Sequence, residues 1–89
     1  MKTRAEIRAT ILRHLVDVVD GLEDDQIDCS RSMKDYGATS LDVVEVVSAS
    51  MREMRIKVPR SELNGLRNLD ELIDLFADVQ QRDAQLTRP

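Results

Sequence analysis

Apolar residues recur through the first part of the chain at helical intervals: Ile7, Ile11, Leu12, Leu15, Val16, Val18 and Val19, with Arg4, Arg8, Arg13 and Asp17 between them. This period gathers hydrocarbon on one side of a helix, so an amphipathic helix is expected over residues 4–19. Gly21 can end it, with the loop opening there or at Asp20. The periodicity then stops. Residues 20–39 are polar, and Leu22, Ile27, Met33 and Tyr36 are the apolar pins that lay this long connection across the core. A single helical turn is expected at Ser30–Lys34, with Met33 facing inward, and Cys29 reads as a small buried filler.

Helical patterning resumes at Ser40. Thr39 is a favoured N-cap residue, and Asp42 lies three positions later, where a carboxylate can accept from the Thr39 amide. Val43, Val44, Val46 and Val47 alone would suit a strand, but the run Ser48-Ala49-Ser50-Met51-Arg52-Glu53-Met54 and the capped start favour a helix from Ser40 to about Met54. Its spacing turns Val43, Val46, Val47 and Met54 to the core and sets Leu41, Val44, Ser48, Met51 and Arg52 on or near the flank beside Ser40. Pro59 pushes Val58 away from helical angles, so Arg55–Val58 is extended, and a short helix follows from Pro59 to Asn64 before Gly65. Asn68 and Glu71 form a second capping pair ahead of Leu69, Leu72, Ile73, Phe76 and Val79, which predict a last helix over about 69–82. The expectation is one all-α domain over residues 1–82, a four-helix bundle with a long first loop and a short third helix. That loop is long enough for the second helix to start alongside helix one, or at the end where helix one began. Residues 83–89 are too polar to stay packed and are expected to fray.

The chain has 89 residues, a single modest core, and two aromatic residues, Tyr36 and Phe76. Net charge is −4, unevenly spread. Residues 1–16 hold Lys2, Arg4, Arg8 and Arg13 against Glu6; residues 17–45 hold nine acids against Arg31 and Lys34; residues 52–67 are basic again and residues 68–89 acidic. An acidic balance without aromatic stacking surfaces opposes nucleic-acid binding, and the acidity around Ser40 suits docking on a basic partner. One cysteine excludes an internal disulfide, and no apolar run approaches a signal or membrane segment, so a cytoplasmic protein with no membrane partner is expected. A single His14, placed among the polar positions of the first helix and read as solvated, leaves neither Ser40 nor Cys29 a convincing catalytic base or a zinc site, so no catalytic residue and no metal is expected. The acids Glu23, Asp24, Asp25 and Asp28 lack calcium-loop spacing and read as solvated.

What remains is the stretch Asp35-Tyr36-Gly37-Ala38-Thr39-Ser40-Leu41-Asp42. It places a small hydroxyl in the first turn of a helix, where unpaired amides and the positive end of the helix dipole favour a phosphate. Gly37-Ala38-Thr39-Ser40-Leu41-Asp42, followed by Val43-Val44-Glu45-Val46-Val47, resembles the acyl carrier protein motif, usually Gly-x-Asp-Ser-Leu, and helix order agrees from helix one to Leu72-Ile73-Asp74-Leu75-Phe76. The resemblance implies that a phosphopantetheinyl transferase couples 4'-phosphopantetheine to Ser40 from coenzyme A, leaving a terminal thiol that carries acyl groups as thioesters. Thr39 stands where the motif has aspartate, and Met51 and Arg52 stand where fatty-acid carriers bring acids. In that part, and over residues 58–69, the chain looks instead like the free-standing donor carriers of polyketide β-branching cassettes, a setting of antibiotic biosynthesis. There the donor supplies an acetyl group to an enzyme resembling HMG-CoA synthase, after loading by an acyltransferase or a decarboxylating ketosynthase. Acceptor carriers have a tryptophan six residues after the serine; here that residue is Val46. The implied partner face is Thr39, Leu41, Asp42, Val44, Ser48, Met51 and Arg52; for Leu41, Val44, Ser48 and Met51 the alternative is core packing or scattered surface positions, which Leu41, Val44 and Met51 fit equally well. A carrier that visits several enzymes is expected to be a monomer. The alternatives are a general carrier for polyketide, fatty-acid or peptide synthesis, a helical interaction module that carries nothing, and a small DNA binder.

Overall fold

The computed structural model describes residues 2–63 and 65–86. Four α-helices follow one another: α1 (Arg4–Val18), α2 (Ser40–Met54), α3 (Arg60–Leu63) and α4 (Leu69–Leu86), with no strand among the described residues. Three of the four expected helix starts hold to the residue and the fourth, α3, to within one. α4 continues four residues past its expected end, through Ala, Gln and Leu, which propagate a helix well; residues 87–89 of the expected frayed tail lie outside the described residues.

α1 starts from a reciprocal cap in which Glu6 N donates to Thr3 Oγ1 at 3.2 Å and Thr3 N to Glu6 Oε1 at 2.9 Å. Ile7, Ile11, Leu12 and Leu15 are buried, and Val16, Val18 and Val19 pack at the edge of the core. Phe76, Leu69, Leu72, Ile73 and Val79 of α4 and Val46, Val47 and Met54 of α2 complete the interior. Ile56 and Val58 are buried on either side of exposed Lys57, the alternation expected of extended chain.

α2 runs antiparallel to α1. Gly37 lies beside the end of α1, where a β-carbon would sit 4.0 Å from Val19 Cγ1, and Glu53 near the end of α2 meets Thr10, Arg13 and His14 in the middle of α1. Of the two starts the loop's length allows, the one at the opening end of α1 is therefore excluded. The long loop does not travel back along α1; it folds over the bundle end, where its carbonyls serve α4. Cys29 O accepts from Asp70 N at 2.8 Å and Arg31 O from Leu69 N at 3.0 Å, satisfying amides that a helix start leaves without partners. Two 3₁₀ turns shape the loop, Asp24–Gln26 and Met33–Tyr36. The second replaces the turn expected at Ser30–Lys34, because Ser32 rather than Ser30 caps it, accepting from Asp35 N. Cys29 is buried, as expected of a filler.

His14 is not the solvated histidine its position suggested. Its Nε2 lies 3.1 Å from Glu53 Oε1, and the side chain is only 22% exposed. Glu53 also accepts from Thr10 Oγ1 and the Arg13 guanidinium. The Arg13 hydrogen bond, then that from His14, holds the Glu53 carboxyl below the usual glutamate range. At the other end, Gln80 accepts from Lys2 N and donates to Lys2 O, both at 2.8 Å, fastening the start of the chain to α4. No described helix is long and apolar enough to cross a membrane.

Candidate functional site

Three successive devices carry the chain from the loop to Ser40. The reciprocal cap between Ser32 and Asp35 starts the 3₁₀ turn. Gly37 then takes φ +93°, donating to Lys34 O at 3.1 Å while Ala38 N reaches Met33 O at 3.3 Å. A side chain here would be strained, so glycine is the residue the turn requires. Ala38 is buried and pins the chain to the core immediately before the helix. Thr39 then caps α2 as its sequence predicts: Asp42 N donates to Thr39 Oγ1 at 3.1 Å, and Thr39 N to Asp42 Oδ2 at 3.0 Å.

Ser40 follows as the first residue of α2, and it is exposed. The first rung of the helix runs from Val43 N to Thr39 O at 3.0 Å, so the Ser40 and Leu41 amides lie ahead of the ladder at the positive end of the dipole. A phosphodiester on Ser40 Oγ would gain from that end and meet no packed side chain. The cap makes no use of the Ser40 hydroxyl, since Thr39 and Asp42 already occupy each other.

Neighbouring predicted residues fall on one side of α2. Leu41 is 81% and Val44 57% exposed, which excludes core packing for both. Ser48 and Met51 are half-buried, and Met51 packs against the core while its Sδ accepts from Val58 N at 3.2 Å. Arg52 is exposed. Thr39 is exposed and Asp42 half-buried, both held in the cap. Beside this face lies a largely apolar cleft of about 670 Å³, floored by Met33, Val43, Val47, Leu63 and Leu72. Lys34, Arg67 and Asn68 reach it from outside α2, and no local pattern in the sequence marks them as neighbours. His14 is not gathered to Ser40. His14 meets Glu53, 13 residues along α2 and so roughly 20 Å from Ser40.

The model of the phosphopantetheine attachment site family matches residues 10–76, from mid-α1 into α4 and across all of α2. The chain belongs to this family: it is an acyl carrier protein, bearing covalent 4'-phosphopantetheine and presenting cargo to enzymes rather than acting as one. It is similar to the polyketide biosynthesis acyl-carrier-protein AcpK of Bacillus subtilis (strain 168), 24% identical over 78 residues that cover 88% of this chain and 95% of that protein.

Proposed function

We propose that Ser40 carries the phosphopantetheine and that the protein is the donor carrier that delivers an acetyl group to an HMG-CoA synthase-like enzyme in polyketide β-branching. The observation that carries the assignment of Ser40 is its exposed hydroxyl at the first residue of a doubly capped helix, within the span matched by the family. When bound, the arm supplies a terminal thiol that holds the acyl group as a thioester. The chain's own residues orient it: Gly37 and Ala38 set the loop, Thr39 and Asp42 fix the helix start, and Leu41 and Val44 offer apolar contact to whatever enzyme receives the arm.

Two features support the donor role. The relative AcpK is named for polyketide biosynthesis. Val46, fully buried in the core, stands at the place where acceptor carriers resemble one another by a tryptophan, and its being valine favours donor over acceptor. We place the exchange in the cytoplasm, with a phosphopantetheinyl transferase, a loading acyltransferase or decarboxylating ketosynthase, and the synthase as successive partners.

Incubation with coenzyme A and a broad-specificity transferase is expected to add one phosphopantetheine by intact mass, and Ser40→Ala is expected to add none. An acetyl thioester on the protein after expression with its neighbouring enzymes supports the donor role. A long fatty acyl chain in its place returns the protein to general carrier duty.

A further inference from the structure

The far end of α2 carries a cluster of charge that no carboxylate among the described residues neutralises. Arg4, Arg13, Arg67 and Arg82 each reach a carboxylate, whereas Arg52, Arg55 and Lys57 reach none among the described residues. The acid nearest in sequence, Glu53, is turned to the opposite side, held there by Thr10, Arg13 and His14. All three cations are exposed and border one open cleft of about 950 Å³ whose floor includes Met51, Ile56 and Val58.

Backbone geometry at Arg55 adds an independent argument. α2 ends with Arg55 N donating to Arg52 O at 3.3 Å and Ile56 N to Met51 O at 3.1 Å, the closure that places its middle residue in the left-handed region. Arg55 stands there at φ +58°, the one described non-glycine residue with positive φ. The same closure before Ser40 uses Gly37. Helix-end electrostatics accounts for a cation at Arg52, but not for an arginine at a position where glycine is easier. A side chain kept at a strained position points to a use for that side chain.

From the start of α2 to the segment just past its end, the charge is therefore acidic at Asp42 and Glu45 and basic at Arg52, Arg55 and Lys57, with the apolar Leu41, Val44 and Met51 spaced along the same stretch. We infer that the basic end is a docking surface for an acidic face of a partner protein. The enzyme that receives cargo from Ser40 then carries carboxylates roughly 20 Å from the mouth that admits the arm, the distance spanned by 15 residues of helix. Opposite charge at the two ends fixes the direction in which α2 lies on the partner. This inference rests on the carrier and donor reading above.

The test measures acetyl transfer from the acetylated holo protein to an HMG-CoA synthase-like enzyme of a β-branching cassette, at low and high salt. Melting temperature and phosphopantetheinylation of each variant serve as controls. Arg55→Gly is expected to melt no lower than wild type and to load normally, yet to lose several-fold in kcat/KM through KM. Arg55→Glu combined with Lys57→Glu is expected to lose about tenfold at low salt, with a smaller deficit at high salt. Loaded variants that transfer like wild type overturn the surface alone, as does a loss that ignores salt. Charge-dependent sedimentation with phosphatidylglycerol vesicles, or self-association removed by the double variant, reassigns the cluster and overturns it too. Wild type that loads but gives no acetyl sinks the donor reading together with the surface; wild type that never loads sinks the carrier assignment of Ser40.

Discussion

Ser50 places a hydroxyl in the interior at 0% exposure, and its Oγ finds no hydrogen-bond partner among the described residues. A buried, unsatisfied hydroxyl costs on the order of 1–3 kcal/mol, and alanine is the better helix former. Ser50→Ala is therefore expected to stabilise the protein by about 1 kcal/mol in chemical denaturation, against the usual direction for a core substitution. A destabilised variant would show that the hydroxyl has a partner after all. The contrast with Ser40, ten residues earlier, is instructive. Ser40 was legible because Thr39 and Asp42 flank it in a pattern that is local in sequence. Ser50 was not, since the run Ser48-Ala49-Ser50 gives no sign of which serine the helix turns inward; only the packing of α2 in the bundle decides that.

At the level of elements, the helices were legible and their joins were not. Caps and apolar periods belong to stretches of a few residues, so α1, α2 and the start of α4 follow from sequence. The expected pair at Asn68 and Glu71 is half formed: Asn68 Oδ1 accepts from Glu71 N at 2.8 Å, but the Glu71 carboxylate takes the Arg67 amide instead. The loop's service to α4 and the meeting of Thr10, Arg13 and His14 at Glu53 are long-range, and no local pattern announces them. That meeting makes the α1–α2 join sensitive to acid. Because the folded Glu53 carboxyl titrates below its unfolded value, its contribution is complete above about pH 4.3, the ordinary glutamate value, and is lost as pH falls through the folded value. Glu6, held low by the Thr3 amide and hydroxyl, and Asp28, held low by Ser30, act in the same sense. Melting temperatures recorded from pH 6 down to about pH 3 are expected to fall more steeply for wild type than for Glu53→Gln. Parallel curves would place the acid sensitivity elsewhere.

For the molecule as a whole, the question is how much of the fold the attachment site needs. The hexapeptide around Ser40 is held by caps a few residues long, yet Ala38 is anchored in a core whose largest fully buried side chain is Phe76 of α4. Truncating a buried Phe to Ala costs about 3–5 kcal/mol, and a domain this small holds roughly 5–15 kcal/mol in total, with its size pointing to the lower part. Phe76→Ala is thus expected to lose most of its helical circular dichroism at room temperature, whereas Phe76→Leu, which keeps most of the volume, stays folded. Neither change touches Ser40, so phosphopantetheinylation of the pair reads fold dependence directly. An isolated turn of α2 is marginal in water, and without it the Ser40 hydroxyl lacks both the dipole and the fixed outward direction that a transferase meets in the bundle. Loading is expected to collapse in Phe76→Ala and persist in Phe76→Leu. An unfolded Phe76→Ala that loaded at the wild-type rate would mean that recognition resides in the peptide itself, and that the bundle serves the later partners rather than the first.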